Sequence, residues 1–114
     1  MTDCIFCKII AGDMSGEILY QDDRVTAFKD INPAAPVHVL VVPNRHIPSV
    51  RDAEADDREL LGDLLLTARQ VAEDQGIMDS GFRLIINNGP NAHQEVSHLH
   101  VHLLGGQRMR HPMG

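Results

Sequence analysis

The chain has 114 residues, 43% apolar and 23% charged, with 10 Lys and Arg against 16 Asp and Glu for a formal net charge of -6. That length supports a single domain spanning residues 1–114, and the apolar share is enough for a buried core, which excludes wholesale disorder. An acidic chain without a Lys/Arg run repels the phosphate backbone, so a nucleic-acid scaffold is excluded as well, while a single nucleotide in a local pocket is compatible with it.

Met1 to Lys8 carries Asp3 before any base and no long apolar stretch, so it does not read as a signal peptide. No apolar run approaches the roughly 18 residues that cross a bilayer, and a cytoplasmic protein with no membrane partner is expected. Cys4 and Cys7 are too close together to staple a fold. A metal half-site, a redox pair and two small core residues are the three readings of such a pair. The redox reading is the weakest, because no βαβ pattern follows.

Ile5 to Ala11 predicts a short helix closed by Gly12. Glu17 to Gln21 and Val25 to Lys29 are strand-like runs joined at Asp22-Asp23, which predicts an antiparallel hairpin with a two-residue connection. Asp30 to Val37 is a loop stiffened by Pro33 and Pro36. His38 to Val42 is a β-branched strand ended by Pro43. From Asp56 to Gln75, Leu60, Leu61, Leu64, Leu65, Ala68, Val71 and Ala72 recur at three- and four-residue intervals, an amphipathic helix stopped at Gly76. Leu66 falls off that face, which points to a partner subunit.

Phe82 to Asn87 predicts a further strand, Asn88 to His93 a loop, and Ser97 to Leu104 the last strand, halted by Gly105-Gly106. Five strands with one long helix cannot alternate into a doubly wound sheet. The expected class is therefore α+β: a five-stranded antiparallel sheet with one long helix on one face, and a short N-terminal helix. The remaining face needs cover or a function.

On the last strand His98, His100 and His102 alternate with Leu99, Val101 and Leu103. Successive strand side chains point to opposite faces, so three imidazoles are expected on one face and the apolar trio in the core. Histidine is rare and is usually present for its titration or its ligand chemistry. A hydrolytic zinc site would need three ligands and an open position. A nucleophilic histidine instead needs one free ring nitrogen, the other held by a hydrogen bond, and donors nearby for oxyanion charge.

Gln94 to Leu104 resembles the His-x-His-x-His signature of the histidine-triad superfamily. The likeness is collinear over nearly the whole chain. It runs through Asp3 to Ile10, Ala27 to Pro33, Ala35 to His38 and Pro43 to Ile47, and the tail Gly105 to Met109 with Pro112 to Gly114 resembles the Hint branch, the nucleoside phosphoramidases. The resemblance implies a HIT-like fold and attack by a central histidine, His100, on the α-phosphorus of a nucleoside monophosphate conjugate, giving a nucleotidyl-histidine that water hydrolyses. His102 matches the flanking histidine that contacts the α-phosphate and assists the leaving group, and His38 matches a supporting upstream histidine. Asp30 matches the acidic residue that binds the ribose hydroxyls, with Ile31 beside the base. Asn87 and Gln94 match residues on the nucleotide.

The resemblance further implies a structural zinc held by Cys4, Cys7, His46 and His98, a closed site with no catalytic metal, and a homodimer acting on a purine nucleotide or phosphoramidate. The sequence departs from the pattern at His93, where glycine is common, at Glu95, a carboxylate on the phosphate side, and at His111, where close relatives carry tryptophan. Two other functions remain open at this point. One is a dinucleoside polyphosphate hydrolase of the Fhit-like branch, against which the Gly105-Gly106 tail speaks. The other is a nucleotide-binding regulatory protein with incidental turnover.

Overall fold

In the computed structural model, which describes residues 3–113, the chain opens with helix α1 (Ile5–Ala11). Met1, Thr2 and Gly114, the outer ends of the segments read above, lie outside the described residues. The Cys7 N–H donates to the Cys4 sulfur at 3.4 Å, which caps the helix start. At its end Gly12 takes φ 81°, and the N–H groups of Gly12 and Asp13 return to the carbonyls of Ile9 and Lys8.

Strands β1 (Ile18–Gln21) and β2 (Val25–Lys29) pair antiparallel as expected. Their connection has three residues instead of two. The reason is Asp22, whose carboxylate accepts from the N–H groups of Arg24 and Val25, both at 2.8 Å, and so builds the turn from a side chain. β3 (Val37–Pro43) follows, then helix α2 (Arg58–Asp74), β4 (Phe82–Ile85) and β5 (Val101–Gly105). The sheet order is β1-β2-β3-β5-β4 with every neighbour antiparallel. The architecture is the expected α+β.

α2 lies across one face. Leu60, Leu64, Ala68, Val71 and Ala72 pack on Val25, Ala27, Val39, Val41, Leu99, Val101 and Leu103, a single buried cluster. The helix begins two residues later than its acidic run suggests, because Ala55–Asp57 forms a tighter turn in which Glu54 and Asp57 cap each other's backbone N–H groups. Leu65 was expected on the buried face but is 47% exposed, beside Leu66 at 58%. Five buried positions already fill the stripe, so the two leucines form an exposed apolar step.

The opposite face carries Phe6, Ile9, Phe28, Leu40 and Val42. β2 and β3 are thus apolar on both sides. The register places Phe28 opposite Leu40 and Leu40 opposite His102, one row running across three strands.

β5 corrects the sequence reading most sharply. It begins at Val101, and residues 94–100 approach it as an irregular segment, so His98 and His100 precede the strand that carries His102. Leu99 is drawn in instead by its N–H, which donates to the Ile47 carbonyl at 2.7 Å. β4 likewise stops at Ile85, short of the expected Asn87.

Candidate active site

His38 on β3 and His102 on β5 are diagonal neighbours on the face away from α2, since His38 pairs with Leu104 and Leu40 with His102. Their rings meet, Nε2 of His38 lying 2.9 Å from Nδ1 of His102. The proton between them can be assigned. The backbone N–H of Ala34 donates to Nδ1 of His38 at 2.9 Å, so that nitrogen holds a lone pair and the proton of neutral His38 sits on Nε2. It donates to Nδ1 of His102, which leaves the proton of His102 on Nε2. Asp30 steadies the arrangement: one carboxylate oxygen lies 3.3 Å from Nε2 of His38, and the other accepts from the Asn32 N–H at 2.8 Å.

His100 is fixed by a different partner. Its Nδ1–H donates to the carbonyl of His98 at 2.7 Å in a buried position, which leaves Nε2 with its lone pair. The ring stands 4.9 Å from that of His102, centre to centre, and edge-on to Phe6 at 5.2 Å. The pair therefore offers one free nitrogen and one N–H donor side by side, the combination a nucleophilic imidazole requires.

His100 and His102 line a cavity of about 660 Å³. Asp30, Ile31, Asn32, Asn87, His93 and Glu95 also line it, and its apolar part is built by Ile5, Phe6, Ile9, Phe28, Leu40 and Val96. That apolar part was not read from the sequence, where Ile31 alone was set beside a base. Ile31 itself is 89% exposed. The signal was available: Phe6 and Ile9 sit three apart on a helix too short to build a core, and Phe28 and Leu40 are apolar on the side of the sheet that α2 does not cover. Gln94 is absent from the lining. It accepts from the Gly89 N–H at 2.9 Å and donates to the carbonyls of Pro48 and Val96 at 2.8 and 3.0 Å, so it organises the loop instead.

On the far side of Phe6 the four residues assigned to a metal come together. Nδ1 of His98 lies 3.2 Å from the sulfur of Cys4, 3.5 Å from that of Cys7 and 3.2 Å from Nδ1 of His46. Nδ1 of His46 lies 3.4 Å from the Cys7 sulfur, and all four donor atoms fall within 4.8 Å of one another. Zinc bond lengths of about 2.0 Å to nitrogen and about 2.3 Å to sulfur put the donors of a tetrahedral site roughly 3.3 to 3.8 Å apart, so the residues fit such an ion. The tautomer fits as well. Nε2–H of His98 donates to the Pro43 carbonyl at 2.8 Å, which turns the lone pair of Nδ1 toward the sulfurs.

Three comparisons bear on this geometry. A family model described as HIT domain matches residues 11–109. The purine nucleoside phosphoramidase of Escherichia coli (strain K12) is 48% identical over 105 residues, covering 92% of this chain and 88% of that protein. Among solved structures, a HIT family hydrolase from Clostridium thermocellum superposes with a TM-score of 0.96 at 48% identity, covering 100% of this chain and 99% of that one. One from Legionella pneumophila Philadelphia 1 gives 0.95 at 41% identity, covering 98% and 100%.

Burial pushes His102 from the ordinary histidine value of 6.5 down to about 4, with His100 and His38 adding to the effect and Asp30 opposing it. Burial lowers His38 as well, again against Asp30. A histidine lowered in this way is kept neutral by the fold. Through His102 the unfolded chain then binds more protons between about pH 4 and about pH 6.5, and the stability contributed is full above that window and lost as pH falls through it, with His38 acting in the same direction. Thermal melts should move to lower temperature from about pH 7 to about pH 5, less steeply in His102→Asn. Equal slopes in the two proteins would contradict the assignment.

Proposed function

From a chain that belongs to the HIT domain family, we infer a purine nucleoside phosphoramidase, an enzyme that hydrolyses the bond between the α-phosphorus of a nucleoside monophosphate and an amine. The observation that carries this reading is the pair His100 and His102 in the wall of one cavity, His100 with Nδ1 bonded to a carbonyl so that Nε2 keeps its lone pair, and His102 with Nδ1 bonded to His38 so that Nε2 carries the proton. The identity to the Escherichia coli phosphoramidase supports the leaving-group class.

In this reading the base lies among Ile5, Phe6, Ile9, Phe28 and Leu40, with Ile31 over it at the mouth. Asp30 accepts from the ribose hydroxyls, and Asn87 lies toward the phosphate. Nε2 of His100 attacks phosphorus while the bond to the amine breaks, the amine taking a proton from water. The positive charge on the substituted imidazole is stabilised through Nδ1–H by the His98 carbonyl. His102 donates from Nε2 to the phosphoryl group, and His38 with Asp30 keeps that donor in place. The hydroxide left by that proton transfer then displaces the imidazole, releasing the nucleoside monophosphate and restoring neutral His100.

His100→Asn should abolish turnover of an adenosine phosphoramidate while leaving nucleotide binding largely intact. Mixing the wild-type protein with that substrate and quenching should give an adenylyl mass addition on the peptide carrying His100. Near wild-type turnover in the variant would end the mechanism. His102→Ala should be milder, with a loss on the order of a hundredfold to ten-thousandfold in kcat.

Cys4, Cys7, His46 and His98 would hold a structural zinc. When bound there, the ion supplies a cross-link between α1, the segment after β3 and the approach to β5, with no open position for chemistry. Metal analysis should find about one zinc per chain. The Cys4→Ser/Cys7→Ser double variant should lose it and melt lower, with only a modest fall in rate. Metal-free protein of unchanged stability would remove the site from the account. Cysteines that must stay reduced to serve as ligands suit a cytoplasmic setting, and no helix among the described residues is long and apolar enough to cross a membrane.

The assembly proposed is a homodimer. Its support is the exposed step Leu65-Leu66 on α2 and the unpaired edges of β1 and β4. Sedimentation at micromolar concentration should give twice the chain mass of 12.6 kDa, and the monomer mass would refute the dimer.

A further inference from the structure

Among the described residues, His93 alone combines a side chain beyond hydrogen with a positive φ, 59°. Glycine takes that conformation freely, whereas a Cβ there is a steric cost. A side chain held at such a corner, in the wall of a cavity, points to a use for it. The corner is rigid. His93 N–H donates to the Pro90 carbonyl at 3.1 Å and Gln94 N–H to the Gly89 carbonyl at 3.1 Å. The three side-chain bonds of Gln94 pin the next residue. The backbone is fixed while the imidazole is exposed, in the same cavity wall as Asn87, Glu95, His100 and His102.

The charges of that wall define what is missing. A nucleotide phosphate beside His100 meets a lone pair on Nε2 and the carboxylate of Glu95, both of which repel it. His102 gives one N–H and no charge. Lys29, the cationic side chain of the lining, is paired with Glu17 at 3.2 Å on the β2 side of the cavity. Beside the neutral amide of Asn87, an anion in this position needs a further neighbour's donor to set against the Glu95 carboxylate.

We propose that His93 is that neighbour: a phosphate-contacting, specificity-determining residue whose imidazole N–H donates to a non-bridging oxygen of the nucleotide and offsets Glu95. The proposal rests on the nucleotide reading of the cavity. It gives this chain a preference for phosphorylated over unphosphorylated nucleosides that is set by a side chain of the loop as well as by the catalytic strand. Gln94 is the positioning residue that holds the loop's backbone in the required conformation.

Isothermal titration of the full chain with AMP and, separately, with adenosine tests it without any turnover. In His93→Gly, AMP binding should weaken about tenfold, the ordinary loss for one hydrogen bond to a charged group, while adenosine binding stays the same. His93→Asn, which tolerates the left-handed backbone and keeps an N–H donor, should retain most of the AMP affinity. The glycine variant should melt no lower than wild type, so a folding defect is separable. Unchanged AMP affinity in His93→Gly, or an equal loss for both ligands, overturns the role of His93 alone. Wild-type protein that binds AMP no tighter than adenosine overturns the phosphate site itself, and with it the proposed function.

Discussion

The proton on Nδ1 of His100 is held by the carbonyl of His98 across 2.7 Å of buried space, and that bond decides which nitrogen faces the cavity. A peptide carbonyl only accepts, so the choice of tautomer is imposed by the backbone. The carbonyl is in turn placed by its own residue. His98 is fully buried, its Nε2–H committed to Pro43 and its Nδ1 to the cysteine cluster. Two neighbouring histidines therefore have opposite tasks: one is anchored through both ring nitrogens so that the other can keep one nitrogen free.

The second proton chain runs from Ala34 through His38 to His102, and it too starts at a backbone group. Ala34 lies in the loop between β2 and β3 that Pro33 and Pro36 stiffen. Restricting that loop keeps the Ala34 N–H aimed at Nδ1 of His38. The two imidazoles that face the cavity thus owe their tautomers to main-chain partners, with Asp30 as a third anchor that also closes its own turn.

Much of this was legible in the sequence because it rests on periodicity. The alternation of Leu99, Val101 and Leu103 and the helical recurrence from Leu60 to Ala72 gave the core face of each element, and the structure buries Leu99, Val101, Leu103, Leu60, Leu64, Ala68, Val71 and Ala72 together. What escaped was set by hydrogen bonds that no period encodes. His98 and His100 alternate like strand residues, yet the bond from Leu99 N–H to the Ile47 carbonyl and the pull of the cysteine cluster hold them in an irregular approach to β5. The apolar half of the cavity escaped for another reason. Its walls come from α1, β2 and β3, and their meeting is a matter of topology, visible only once the sheet order is known. Cys4, Cys7, His46 and His98 were grouped by resemblance, since their spacing alone left three readings open.

The row that runs Phe28, Leu40, His102 across β2, β3 and β5 is interleaved with the rows that α2 covers. Along β3, Val39 and Val41 face the helix while His38 and Leu40 lie on the other face, Leu40 lining the cavity; along β5, Val101 and Leu103 face the helix while His102 lines the cavity. Sliding either strand by one residue would exchange the two sets completely, putting imidazole into the hydrophobic core and valine on the cavity face. The same hydrophobic burial that makes such a slip costly therefore proofreads the placement of the imidazoles. A chain of this sequence that has folded with its core intact has its imidazoles on the cavity side of the sheet, with no separate step needed to assemble them.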